Sequence, residues 1–515
     1  MTDHNPSPPV SRRRGWRRFL GWPLYVASLV TLLLVAFVVK QAQHGDPYFV
    51  FDTSRTGAAF PGEEPEALSM RIRGLDHTLE VKLNGWVAFT EDESDVALIA
   101  PDSELVIAIK GPDGKRIIKF VSNDDGEVQR YAWEYNDDGK VEIEVDKEWL
   151  AQIIPEAIRA SGMNAKHRVH GIYQHEGLEG VLDEIEDMHS AEVQTRYYME
   201  LMRFASVPDE LYNIVWHAAD NVGSDAALHE LLVYAAKRAG DDQDIAVAIL
   251  QASDEVSNDY HKSSLLQVMA GTMPLDSGTV EVYVSAADDI DSGYEKAQAL
   301  RSLLRRPDAS PKILAMLLRA AEDIDGDYEQ AELLRESAHL AAQYEEVLER
   351  YIEAAQQIAS GWERRTALAA LAKGGELPPD KLDDVLAAGQ DLDSDYERAE
   401  LLRDMADVAA ESAQAYMAYL EASQYVEGDH ARRRVLEELS RKARLNTDAA
   451  LALLEAAGTL RSDWERSQML QEVARHLPRN EEVVKRYKEV CESIENDEER
   501  EQALAALERD QEDQR

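Results

Sequence analysis

A single cysteine, Cys491, stands in 515 residues. That excludes an internal disulfide framework, and a large helical array buries enough apolar area to need none. Cations are scarce as well: 55 Lys and Arg face 99 Asp and Glu, a formal net charge of −44. Binding a phosphate backbone requires neutralising it with Lys and Arg, so no nucleic acid is expected as a partner, and an anionic membrane surface is disfavoured for the same reason. No Ser-His-Asp ordering, reactive-cysteine setting, glycine-rich phosphate loop or dinucleotide fingerprint stands out. The expectation is a protein that is not an enzyme, with no catalytic, cofactor-binding or metal site and no small-molecule substrate. A saline habitat selects the same acidity, so charge alone does not define a basic ligand.

What is present is ordinary for a folded chain, with 44% apolar and 30% charged residues, and the length exceeds one compact core. The acidity is broken at one place. Arg12, Arg13, Arg14, Arg17 and Arg18 precede an uncharged stretch from Phe19 to Val39, which matches a bilayer span of about 20 helical residues. Trp16, Trp22 and Tyr25 lie near its basic end, where amphipathic rings favour the headgroup region. A cleavable signal peptide would have a shorter apolar region, about 7–15 residues, and a small-x-small site, whereas Lys40, Gln41 and Ala42 follow here. The reading is an uncleaved single-pass anchor in the cytoplasmic membrane, with 1–18 as a cytoplasmic basic tail, 19–39 as the transmembrane helix and the bulk outside. Cys491 should then report topology by reacting with a membrane-impermeant maleimide, unless it is buried.

Residues 40–68 read as a spacer, because Gly45, Pro47, Gly57, Pro61, Gly62 and Pro65 interrupt any period. From 69 to 145 the apolar period becomes two, as in Leu79-Val81-Leu83 and Val141-Ile143-Val145, with turn chemistry at Asn84-Gly85, Pro112-Asp113-Gly114, Asp125-Gly126 and Asp138-Gly139. Seven or eight short strands of a small antiparallel β domain are expected. After Asp146 helical spacing takes over at Trp149, Leu150, Ile153, Ile154, Ala157 and Ile158, with Asp146 as cap and Gly162 as stop. Residues 146–189 are expected as a helical bridge covering the end of an array.

From 190 to 510, followed by a tail at 511–515, one phrase returns every 34 residues, centred on Tyr260, Tyr294, Tyr328, Trp362, Tyr396, His430, Trp464 and Glu498. Backward extension reaches Ala226 and Glu192. Four residues before each anchor stands an apolar residue (Val256, Ile290, Ile324, Ile358, Leu392, Val426, Leu460, Ile494), and six after it a leucine, from Leu266 to Leu504. Small polar pairs such as Asn258-Asp259, Ser394-Asp395 and Ser462-Asp463 suit a capped turn between two helices. The fold class is mainly α: an α-solenoid of about ten helix-turn-helix repeats, each burying its apolar face only against its neighbours, on the order of 100 Å long.

The unit length resembles tetratricopeptide repeats, although the Trp, Leu-Gly, Tyr and Pro positions of that pattern are not reproduced; HEAT-like repeats are the other near relative. More closely, Tyr131 through Trp149-Leu150, Pro155, Arg159, Gly162, Val181-Leu182-Glu184-Ile185 and the phased units resemble bacterial membrane-anchored proteins in which an adhesin-like β region precedes helical repeats of the Ser-Asp-Tyr-Glu-Lys type. That resemblance implies architecture and anchoring and carries no activity.

Several groups invite chemistry. His229-Glu230-Leu231-Leu232-Val233 has Val233 where a zinc-protease helix needs its second His, and His175-Glu176 fails likewise. His167, His170 and His175 lack a clear third ligand type. Asp323-Ile324-Asp325-Gly326-Asp327 begins like a calcium loop but has Leu334 at the closing position, so capping of the repeat turn is the reading. Glu295, Glu329, Glu363, Glu397 and Glu465 form a ladder one residue after the anchor, and Lys296, Arg364, Arg398, Arg432 and Arg466 one residue later. These are a possible interaction stripe or, preferably, inter-repeat salt bridges. The anchor aromatics are expected as packing knobs between units rather than ligand platforms. The functional expectation is a scaffold for protein partners; the alternative is an envelope sensor that signals through a membrane partner.

Overall fold

The computed structural model describes residues 66–513 apart from 74–76, 113, 124–126, 137–138, 189, 308 and 374–376. The basic tail, the apolar stretch 19–39 and most of the spacer lie outside the described residues. No helix among the described residues is long and apolar enough to cross a membrane.

Eight strands come first: β1 (Glu66–Arg73), β2 (Thr78–Gly85), β3 (Val87–Phe89), β4 (Val96–Ile99), β5 (Glu104–Gly111), β6 (Gly114–Ser122), β7 (Val128–Asn136) and β8 (Gly139–Ile143). The first described strand therefore lies partly inside the expected spacer, beginning at Glu66. Six strands form an antiparallel sheet in the order β1-β2-β5-β6-β7-β8, and β3 pairs with β4 apart from it. Alternation sets the register, because a slip by one residue would turn every apolar side chain to water. Val81 lies opposite Ile107 and Ile107 opposite Ile118, while Leu83, Leu105 and Phe120 make the neighbouring row. On the other face Glu80 pairs with Lys115 at 3.1 Å and with Arg71 at 2.6 Å.

The expected bridge divides between two cores. The helix Lys147–Ser161 has its N-terminus capped by Asp146, which accepts from the Glu148 N–H at 2.9 Å, and stops at Gly162, whose φ of 65° suits glycine. It buries Leu150, Ile153, Ile154, Ala157 and Ile158 against the sheet. The next helix, Ala165–Glu186, instead contributes Val169, Val181, Leu182 and Ile185 to the array.

Ten helix pairs follow among the described residues. The second helix of each pair starts one residue before the anchor position, at Ala191, Asp225, Asp259, Gly293, Asp327, Gly361, Asp395, Asp429, Asp463 and Asp497. We term these the anchor helices, and the helices that precede them, from Ala165–Glu186 to Glu481–Glu492, the return helices. Anchor helices pack on anchor helices of adjacent units, and return helices on return helices, giving two layers. The N-cap falls at Ser190, Ser224, Asn258, Ser292, Gly326, Ser360, Ser394, Gly428, Ser462 and Asn496, a 34-residue interval without slippage. Most of these side chains accept a helix N–H, as Asn258 does from His261 at 3.0 Å and Asn496 from Glu499 at 3.2 Å.

The layers close on the apolar positions flanking each anchor. Val256, Ile290, Ile358 and Leu460 are buried, as are Leu266, Leu300, Leu334 and Leu470, whereas Leu504 in the last described unit is half-buried. Adjacent alanines such as Ala286-Ala287 and Ala354-Ala355 are buried on the return helices, where small side chains let helix axes approach. A second period, twice the first, also appears: Tyr283, Tyr351, Tyr419 and Tyr487 are fully buried, and Leu317, Val385 and Leu453 hold the equivalent place in the units between them.

Cys491 lies in this core, fully buried, and burial pushes its thiol up to about 12. The thiolate is the nucleophile, so the free-thiol topology assay fails on the folded protein for a physical reason. We expect maleimide to leave Cys491 unmodified in buffer and to label it on addition of denaturant, with mass spectrometry as readout. Rapid labelling of folded protein would mean that the last units open readily.

Candidate interaction surface

Most turns from return helix to anchor helix bring two or more of four elements to one edge of the array: a side-chain cap, an acidic residue, an aromatic and a cation. The aromatics are not knobs between units. Tyr260, Tyr294, Tyr328, Trp362, Tyr396 and Trp464 are between 49% and 64% exposed, and this corrects the expectation from the sequence. They stand at the second helical position, where a side chain has no preceding turn of helix beneath it. The packing role falls to the aliphatics four before and six after the anchor and to the buried tyrosines.

The residue before the anchor does what a cap does not. Asp395 accepts from the N–H groups of Glu427 (3.0 Å) and Gly428 (2.8 Å), both in the turn of the next unit. Asp327 does the same to Ala359 and Ser360, Asp429 to Arg461 and Ser462, and Asp463 to Glu495 and Asn496; Asp259 accepts from Ser292 at 2.8 Å. The N–H groups ahead of a helix lack partners within it, and here the preceding unit supplies them. Gly293 breaks the series because the next turn sits directly on it: a Cβ there would lie 1.7 Å from the Asp325 carbonyl oxygen. The sequence signal for this clamp is aspartate immediately before the anchor position in seven of the ten units; its forward reach of 32 or 33 residues is not in the pattern.

For Asp395, burial raises the carboxyl pKa, but the Glu427 N–H, Arg398 and the Gly428 N–H together outweigh it, and the pKa falls below the ordinary 3.8. Asp395→Ala should therefore destabilise the array by roughly 1–3 kcal/mol, the net worth of two hydrogen bonds to N–H groups. A carboxyl with a depressed folded-state pKa contributes fully above its unfolded value and loses that contribution as pH falls through the folded one. Urea midpoints of parent and variant should therefore differ at pH 7 and converge below pH 3.8; a constant gap across that range would refute the clamp.

The cation ladder turns inward. Arg364 Nε donates to the Ile358 carbonyl at 2.8 Å, Arg432 Nε to Val426 at 2.9 Å and Arg466 Nε to Leu460 at 3.1 Å, while Arg398 donates to the Leu392 carbonyl through Nη1. These carbonyls lie six residues earlier, in the turn that follows the unit's own return helix. A second arm reaches 27 residues forward, from Arg466 Nη1 to the Ser493 carbonyl (2.7 Å) and from Arg432 Nη1 to Thr459 Oγ1 (3.3 Å). Lys296 is buried and makes the forward contact to the Asp323 carbonyl at 3.4 Å, with Asp288 of its own unit 3.6 Å away. The glutamate ladder takes other cations: Glu363 pairs with Arg335 (3.1 Å), Glu397 with Arg365 (2.7 Å) and Glu465 with Arg433 (2.5 Å), each from the preceding anchor helix.

Other sequence candidates have structural neighbours. His167 meets the Trp86 ring edge-on, and His170 contacts Phe204 and lies 2.7 Å from Gln174 Nε2. His229 stacks on His261 with centroids 5.1 Å apart; burial, then His261, lowers its pKa. The calcium-like turn spends Asp327 on the clamp and leaves Asp325 exposed.

The fold defines a mainly α protein, a solenoid-like helical array after a small antiparallel β region. No family model and no curated protein matches the chain. Among solved structures, a chain of the Chs5-Bch1 exomer cargo adaptor complex matches over 77% of this chain and 84% of that one, at 10% identity and a TM-score of 0.17, a score that carries no argument.

Proposed function

We propose that the chain is a membrane-anchored, extracytoplasmic scaffold that holds protein partners along its acidic solenoid, with 19–39 as the anchor. One observation carries the partner-binding part: an exposed aromatic recurs at the same turn in six units. Repeated apolar surface on one edge of a stable array marks an interaction site, and arrays of this kind bind through long surfaces without chemistry of their own. The anchor rests on the uncharged stretch after five arginines and on the positive-inside tendency.

A photo-crosslinking amino acid at position 328 or 396 in intact cells should trap a discrete protein, and an alkaline-phosphatase fusion after residue 60 should be active. Absence of any adduct from the turn edge, with adducts from the return-helix layer instead, would remove the carrying observation. The sensor alternative is read from the same gel: an envelope-assembly protein supports scaffolding, and a kinase or protease supports signalling.

A further inference from the structure

We propose that the turn edge is a docking track for an extended cationic polypeptide segment whose Arg or Lys side chains recur at every third residue. The inference rests on the scaffold reading and names the chemistry of its partner.

The track's geometry comes from the stacking. Tyr260, Tyr294, Tyr328, Trp362 and Tyr396 occupy five consecutive units, all exposed, and their anchor helices pack directly on one another, which spaces the rings by about 8–10 Å. An extended chain advances ~3.3 Å per residue, and a polyproline II helix ~3.1 Å with three residues per turn. Three residues cover one unit in either form, but a strand turns residues i and i+3 to opposite faces, so it is the polyproline II form, with three residues per turn, that brings every third side chain to a ring. A helical ligand, rising ~1.5 Å per residue, would need about five to seven residues per unit, and of these steps only seven returns a side chain to nearly the same face.

Charge decides which side chain. Three residues before the anchor stand Asp291, Asp325 and Asp393, all exposed and without an ion pair among the described residues. The glutamates after the anchor differ, since several already hold an arginine of the preceding unit. The carboxylates behind this row also lack sufficient counter-charge. Burial, and then Asp289 of the next unit, raises the pKa of Asp254; burial raises that of Asp288, and Asp323 of the next unit adds to the rise despite Lys296. Cations laid along the edge would relieve that repulsion.

The array itself demonstrates the contact. The Arg433 guanidinium lies 5.6 Å from the Trp464 ring centroid, within the distance at which an aromatic face attracts a cation. The unit below thus already fills the Trp464 place with an arginine, and Arg365 holds the equivalent position below Tyr396; below Tyr294, Tyr328 and Trp362 that position is Ser263, Ala297 and Ala331, which leaves those rings to arginines supplied from outside. A second copy of this chain brings its own negative field and is repelled.

The test uses full-length protein in detergent micelles and two fluorescent 15-residue peptides of equal composition. One carries Arg at every third position and the other has its five arginines in one block. Anisotropy at 150 mM salt should show the spaced peptide binding about ten-fold tighter. The Tyr294→Ala/Tyr328→Ala/Tyr396→Ala protein should lose about ten-fold for the spaced peptide, and the Asp291→Asn/Asp325→Asn/Asp393→Asn protein should lose most of its salt dependence. The substituted side chains are exposed, so an unchanged urea midpoint certifies folding. Equal binding of the two peptides, or an unchanged affinity in the tyrosine variant, overturns the track. Should in-cell crosslinks from position 260 persist in that variant while the spaced peptide shows no preference, the scaffold reading stands and the track falls; loss of crosslinks from every position of the parent sinks both.

Discussion

Replacing Arg168 with alanine is expected to loosen the joint between the sheet and the array by roughly 3–5 kcal/mol, the usual cost of removing one partner from a buried ion pair. Arg168 lies on the first return helix with its side chain 10% exposed, and it bridges both parts. Nε and Nη2 meet the two Glu93 oxygens at 2.5 and 3.2 Å, and Nη1 reaches Glu184 at 2.6 Å and the Tyr197 hydroxyl at 3.3 Å. Arg159, on the helix that packs under the sheet, holds the same Glu184 at 2.7 and 2.9 Å. Without Arg168, Glu93 loses its partner and Glu184 keeps only one of two. Arg168→Met retains much of the apolar stem and should recover little, because the charge is what the carboxylates need. Burial raises the Glu184 pKa, but the bonds to Arg159 and Arg168 bring it below the ordinary 4.5. The stability difference between parent and variant should accordingly be full above pH 4.5 and shrink as pH drops through the folded value. Limited proteolysis and chemical unfolding read this directly: the variant should be cut first between sheet and array. A variant that unfolds within about 1 kcal/mol of the parent would show that the apolar contacts of the joint suffice.

Tyr351→Ala should have an effect of the same order, roughly 3–5 kcal/mol, since a fully buried aromatic leaves a cavity between two helix layers. Tyr351→Phe separates the ring from the hydroxyl. The Tyr351 hydroxyl donates to the Ala367 carbonyl at 2.7 Å, and Tyr283, Tyr419 and Tyr487 donate to Ala299, Val435 and Ala503 at 2.9, 3.1 and 2.9 Å. Burial raises all four phenol pKa values, so each remains a donor. The phenylalanine variant should therefore lose only about 1 kcal/mol. Because stability in a stacked array is a sum over units and their interfaces, Tyr351→Ala should also split the urea transition, with units on either side of the defect unfolding separately. One sharp transition with a small shift would mean that the layers collapse onto the vacancy.

The double period that places these tyrosines is present in the sequence, yet a reading keyed to the exposed anchors passes over it. Tyr283, Tyr351, Tyr419 and Tyr487 recur every second unit and were legible in principle. The strands were legible because alternation is local, and the helix pairs because one phase runs through all units. The division of 146–189 between two cores was not: helical spacing marks an apolar stripe on both helices without saying which body it meets. The row Lys296, Arg364, Arg398, Arg432 and Arg466 reads on paper as a surface stripe, but a long cationic side chain six residues past a helix end can fold back onto that end's carbonyls.

Recurrence at 34 residues determines which positions are equivalent, and equivalence over ten units determines stacking, because no unit can bury its apolar stripe alone. Which face of each equivalent residue meets a neighbour depends on the angle between successive units, and that angle emerges only when the helices pack. For this reason the array could be read from sequence, whereas the outward rings of Tyr260 to Tyr396, the forward clamp of Asp395 and the inward arginines were decided by tertiary structure.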